Sequence, residues 1–102
     1  MTDRFRRVFL RPRAVRADSG FKVEVLGMTR VRYSDGEGTA TVPAEPILID
    51  EGQFKGKRGW AVAVSLLTKW DDGKSFSDVE RELIQSRTKQ ALTFMGVPHL
   101  VG

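Results

Sequence analysis

Hydrophobic and polar positions alternate most regularly over residues 59–70, where Trp60, Val62, Val64 and Leu66 are interleaved with Ala61, Ala63 and Ser65. A period of two is that of a strand, here with one bulky face that needs a core and one small-residue face that lets a helix or a second backbone approach. Residues 21–27 alternate as well, with Phe21, Val23 and Val25 directed inward and Lys22 and Glu24 outward. Residues 28–33 form the next strand, with Thr29, Val31 and Tyr33 on one face and Arg30 and Arg32 on the other; Gly27 makes a bulge or tight corner between the two. Gly36 and Gly38 mark residues 34–38 as a turn, from which residues 39–42 return as a short strand. Strands joined this way make an antiparallel meander. Pro43 and Pro46 read as a break, residues 47–49 as a short edge strand or packed loop, and residues 50–59 as a mobile loop rich in glycine.

From Ser77 the period changes to that of a helix. Ser77-Asp78-Val79-Glu80 fits a capping box, in which the serine hydroxyl and the glutamate carboxylate satisfy orphan amides reciprocally. Val79, Leu83, Ile84, Ala91, Leu92 and Met95 form an apolar stripe, with Arg81, Gln85 and Arg87 on the wet side. Gly96 is the expected stop and Pro98 follows it; residues 97–101 suit a terminal edge strand. The pattern predicts an α+β fold: an antiparallel meander sheet of four or five strands with one C-terminal α-helix packed across it. Residues 21–102 read as a single α+β domain and residues 1–20 as a basic N-terminal arm or edge strand.

Composition changes this picture in two places. The chain of 102 residues has no cysteine, which removes disulfides, thiolate metal sites and a cysteine nucleophile, and favours a cytoplasmic setting. No apolar run approaches a membrane span, and the arginines near the start break up any signal-peptide core. The net charge of +4 is also uneven. Residues 1–20 hold six arginines against two aspartates, which accounts for the whole excess.

Little in the sequence supports catalysis. His99 is the lone histidine and reads as a surface or edge residue rather than a base. No metal-ligand spacing or nucleotide-binding glycine motif is present, and no cofactor is implied. The carboxylate pairs Asp35/Glu37, Asp50/Glu51 and Asp71/Asp72 all fall in turns, where such residues serve local hydrogen bonds. Trp60, in register with Val62 and Val64, reads as core. Trp70, between Lys69 and two aspartates, reads as half-exposed and as the better interface candidate.

Four segments together resemble a bacterial immunity-protein family of polymorphic toxin systems. They are Val31-Arg32-Tyr33-Ser34-Asp35-Gly36, Ala40-Thr41-Val42-Pro43-Ala44-Glu45, Ser65-Leu66-Leu67-Thr68-Lys69-Trp70-Asp71 and Ala91-Leu92-Thr93-Phe94-Met95-Gly96. The resemblance spans about two-thirds of the chain, from Val31 to Val97. It implies a small non-enzymatic protein, with a helix after the sheet, that binds and neutralises a cognate toxin. It brings no catalytic residues. Tyr33, Glu45, Trp70 and Asp71 match the pattern beside its turns and are the candidate partner contacts. Residues 1–20 and 50–58 lie outside the pattern.

The rival reading is a module for single-stranded DNA or RNA. Arginine interleaved with aromatic residues can grip phosphates by charge and bases by stacking. Its residues are Arg4, Arg6, Arg7, Phe9, Arg11 and Arg13, aided by Lys55, Lys57 and Arg58. The bland alternatives are solvated arginines on an edge strand or a tail. Open sheet edges leave a homodimer in play as well.

Overall fold

The computed structural model describes residues 4–8 and 11–102, with the main chain alone described for Arg11 and Pro12. The strands are β1 (Phe5–Val8), β2 (Arg11–Ala17), β3 (Lys22–Leu26), β4 (Arg30–Asp35), β5 (Gly38–Leu48), β6 (Arg58–Val62) and β7 (His99–Val101). They lie in one sheet in chain order. Each neighbouring pair is antiparallel except β6 and β7, which are parallel. A parallel pair needs a crossover, and the helix α1 (Asp78–Met95) lies within that connection. The α+β class is as expected, but the sheet has seven strands rather than four or five.

The extra strands come from the arginine-rich segment, which supplies β1 and β2. Alternation there is hidden by arginine, yet Phe5 packs on the core, Val15 and Ala17 are buried in it, and Ala14 is buried on the opposite face. The inner face continues through Val23, Val25, Val31, Tyr33, Ala40, Val42 and Val62. Helix α1 packs against this curled sheet through Ile84, Thr88, Ala91 and Leu92. The capping box is formed: Glu80 N–H donates to Ser77 Oγ (3.1 Å) and Ser77 N–H to Glu80 Oε1 (3.0 Å). Gly96 closes the helix in the left-handed region at φ 73°, where L side chains are costly.

Several expectations need correction. The buried stripe is shifted: Val79 and Leu83 are exposed, while Thr88 is buried. Thr88 is turned inward even though its Oγ1 has no hydrogen-bond partner among the described residues. Arg81 and Arg87 are not on a wet face. Arg81 donates to the Leu67 carbonyl at 2.9 Å, and Arg87 lies 4.8 Å over the Phe21 ring. Long guanidinium side chains bury their stems and bond with their heads.

Pro43 and Pro46 do not break the chain; β5 runs straight through them. Residues 38–43 pair with β4, and residues 44–48 pair with β6. The last β5 amide bonded on the β4 side is that of Ala44, which donates to the Thr29 carbonyl at 2.8 Å. Pro46 points to the same side, past the end of β4, so its missing N–H costs no ladder bond.

The predicted strand over residues 60–66 stops at Val62, and a short 3-10 turn (Val64–Leu66) leaves Leu66 in solvent. Residues 50–59 are not a free loop. A 3-10 turn (Gly52–Phe54) is held by Gly56 N–H to the Ile49 carbonyl (2.8 Å) and Ile49 N–H to the Lys57 carbonyl (2.9 Å), and Arg58 and Gly59 already belong to β6. Trp70 is the more buried of the two tryptophans, while Trp60 packs against the core from its margin. Trp70 is buried at 4 % exposure, whereas Trp60 is half-buried and its indole N–H donates to the Met28 carbonyl at 2.9 Å.

β6 also passes very close to the segment entering β7. A Cβ built on Gly59 would lie 2.2 Å from the Pro98 carbonyl oxygen and 2.8 Å from Ile49 Cδ1. Only glycine fits there without moving backbone.

Candidate functional site

Of the four residues matched to the immunity-protein pattern, two are in the core. Tyr33 is fully buried, and its hydroxyl donates to Asp35 Oδ2 at 2.6 Å while accepting from Arg87 Nη1 at 2.9 Å. Burial, followed by the Asp35 carboxylate, pushes its pKa well above the ordinary tyrosine value, so it stays a neutral phenol. Arg87 also stands 3.6 Å from Asp35, so this network ties α1 to the turn after β4. Trp70 packs between Tyr33 (centroids 6.3 Å apart) and Phe76 (5.5 Å). Its alternation with polar neighbours suggested exposure, but the hairpin bridged at Lys69 and Ser75 folds the indole inward.

Asp71 is exposed but engaged. Thr41 N–H donates to its Oδ1 (3.0 Å), Thr41 Oγ1 to its Oδ2 (2.8 Å), and Asp71 N–H to the Thr39 carbonyl (2.8 Å). It thereby serves as the missing neighbour of β5 along the part that β6 does not cover. Glu45 alone is exposed with a side chain that makes no hydrogen bond or ion pair among the described residues. The four therefore do not form one surface.

The arginine set is divided differently. Arg4, Arg6 and Arg7 are exposed on or next to β1. Phe9 lies outside the described residues, and so does the side chain of Arg11. Arg13 stands 5.9 Å from the Trp60 ring centroid, beside β6. Lys55, Lys57 and Arg58 are exposed around the start of β6, far from β1 in the strand order.

Strand register adds two cations that alternation alone does not bring together. Arg6 lies opposite Arg16 across β1 and β2, and Arg16 lies opposite Lys22 across β2 and β3. These three side chains form one cross-strand row on the outer face. Arg6 has an exposed ion pair with Asp18 at 3.0 Å, which is worth little in water. Arg16 and Lys22 carry no ion pair among the described residues. Two adjoining depressions of about 610 and 410 Å³ flank the row; Arg16 and Gly20 line both. In the next row Glu24 is buried and faces Arg32 at 3.9 Å. The signal for this site is visible in the period-two spacing, but aligning it requires the pairing of two hairpins.

His99 is buried in the edge strand β7, close to the Phe54 ring, with Nδ1 2.7 Å from the Val97 carbonyl. Burial lowers its pKa below 6.5, against the pull of that carbonyl and with Lys89 adding to the depression. The neutral ring is thus the folded form, with Nδ1–H donating. Stability should be full above about pH 7 and fall as the pH drops through 6.5 towards the folded-state pKa, by at most about 1.4 kcal/mol per pH unit. Urea unfolding at pH 7 and near pH 5.5 checks this, and His99→Gln should flatten the difference.

Among the described residues, no group of three or more His, Cys, Asp or Glu side chains is placed to hold a metal ion. Among them, too, no helix is long and apolar enough to cross a membrane. Comparison of the chain with protein-family models, with curated proteins and with solved structures finds no match in any of the three.

Proposed function

We propose that this domain is a non-enzymatic binding protein that holds the phosphate backbone of a nucleic acid along the outer face of β1–β3. The observation that carries this is the row Arg6, Arg16 and Lys22 on three adjacent strands. Like charges directly opposite one another destabilise a sheet, and bound phosphates would turn that repulsion into attraction. The neighbouring outer-face positions are Ser34 and Thr39 along the same row, and Ala14, Glu24, Arg32 and Thr41 along the next. None is aromatic, so contact is with phosphate and sugar rather than with stacked bases, and sequence preference is weak.

The test is fluorescence anisotropy with labelled single- and double-stranded oligonucleotides at low and near-physiological salt. Affinity should fall steeply with salt, and Arg16→Glu with Lys22→Glu should weaken binding more than tenfold and lower the salt slope by about 2. Equal affinity in the double variant, or no binding at low salt, would remove this assignment. The immunity-like reading, a protein that silences a toxin by binding it, needs a surface other than Tyr33 and Trp70, since both are in the core.

A further inference from the structure

We propose a second and independent site, a docking groove for an extended peptide that is both acidic and apolar, along β5 and β6. The groove, about 380 Å³, is lined by Met28, Pro46, Leu48, Arg58 and Trp60. Met28 and Leu48 are 64 % and 68 % exposed, so the chain leaves large apolar side chains beside a half-buried tryptophan. Tryptophan is among the residue types enriched at the energetic centres of protein interfaces.

Two further observations select the occupant. The first is charge. Arg13 stands over Trp60, and Arg58 lines the groove; neither has an ion pair among the described residues. One cation lining the groove and a second on the Trp60 ring favour a partner segment that carries carboxylates, and repel a basic one.

The second is the main chain. Beyond Ala44, the side of β5 that faced β4 has lost its neighbour, because β4 pairs no further than Pro43. The Pro46 carbonyl and the amide and carbonyl of Leu48 are directed to that side, and no described residue pairs with them. An extended segment laid along this edge would gain main-chain hydrogen bonds, as in β-strand addition. Its alternate side chains would lie on Met28, Leu48 and Trp60. Pro46 leaves one donor out of the ladder, so affinity depends on the side-chain pockets and the arginines.

A labelled peptide of about eight residues alternating valine with glutamate, and its counterpart with lysine for glutamate, test this on the full chain. The glutamate peptide should bind at least about tenfold more tightly. Leu48→Glu should abolish that binding. Arg58→Glu should weaken the glutamate peptide by about tenfold and strengthen the lysine peptide. Both substitutions fall on exposed side chains, and circular dichroism verifies that the fold is kept. Failure of both peptides to bind, or equal binding of the two, would overturn the proposal. So would self-association in sedimentation that Leu48→Glu abolishes, because the occupant would then be a second copy of the chain.

Discussion

Trp70→Ala should lower stability by about 3–5 kcal/mol, the range for removing a buried large aromatic side chain. The indole is 4 % exposed and packs against Tyr33 and Phe76, with the Gly38 backbone close beneath it. A cavity of that size is bordered by the turn that holds Asp71 against β5, so the surrounding backbone can collapse only partly. A chain of this length has about 5–15 kcal/mol in all, so the variant should be close to unfolding at physiological temperature. Denaturant titration followed by circular dichroism should show the midpoint moving down with the slope nearly unchanged. A loss below about 1 kcal/mol would mean that the indole is not a core side chain. Loss of any partner on Trp70→Ala is therefore first a folding effect, and Leu48→Glu is the cleaner probe of an interface.

Gly59→Ala should be as damaging, for the opposite reason. The added methyl group would meet the Pro98 carbonyl oxygen at 2.2 Å and the Pro98 carbonyl carbon at 2.6 Å. Both are main-chain atoms, and Trp60 N–H donates to that same carbonyl at 3.1 Å. Relief therefore requires β7 to move off β6. Overpacking costs typically about 1–3 kcal/mol and more where backbone must shift; about 3 kcal/mol or more is expected here, a fall in melting temperature of more than about 10 °C. Gly36→Ala is the control. A Cβ there meets nothing within 4 Å, and its effect should stay within about 0.5 kcal/mol. Equal melting temperatures for the two variants would show that the approach of Pro98 is looser than the structure has it.

What could be read from the chain is local. The helix start at Ser77 and its end at Gly96 follow from hydrogen bonds within one turn, and both are present. The hairpin of β3 and β4 follows from clean alternation. What could not be read depends on partners distant in sequence. Whether Pro46 interrupts β5 depends on where β4 ends. Trp70 is buried because a hairpin folds back on Tyr33, and Trp60 is half-exposed because the sheet curls and carries it to Met28. Arg87 looks solvated until Tyr33 and Asp35 are placed beside it. The candidate site shows the same limit. Arg6 was visible as a cation, but its alignment with Arg16 and Lys22 is a property of register between strands, which alternation within one strand does not reveal.

The sheet's strand order, identical to chain order from β1 to β7, also has a kinetic consequence. Every step through β5 closes a short loop between consecutive strands, so the meander has low contact order and assembles early. Pairing β6 with β7 closes the longest gap and requires α1 in place. That step is expected after the folding transition state. Changes confined to β7 and its seat on Gly59 therefore act mainly by speeding unfolding and leave the folding rate nearly as it was. β7 is a three-residue strand at the sheet's edge, so the amides that bind it should be among the first to exchange with solvent.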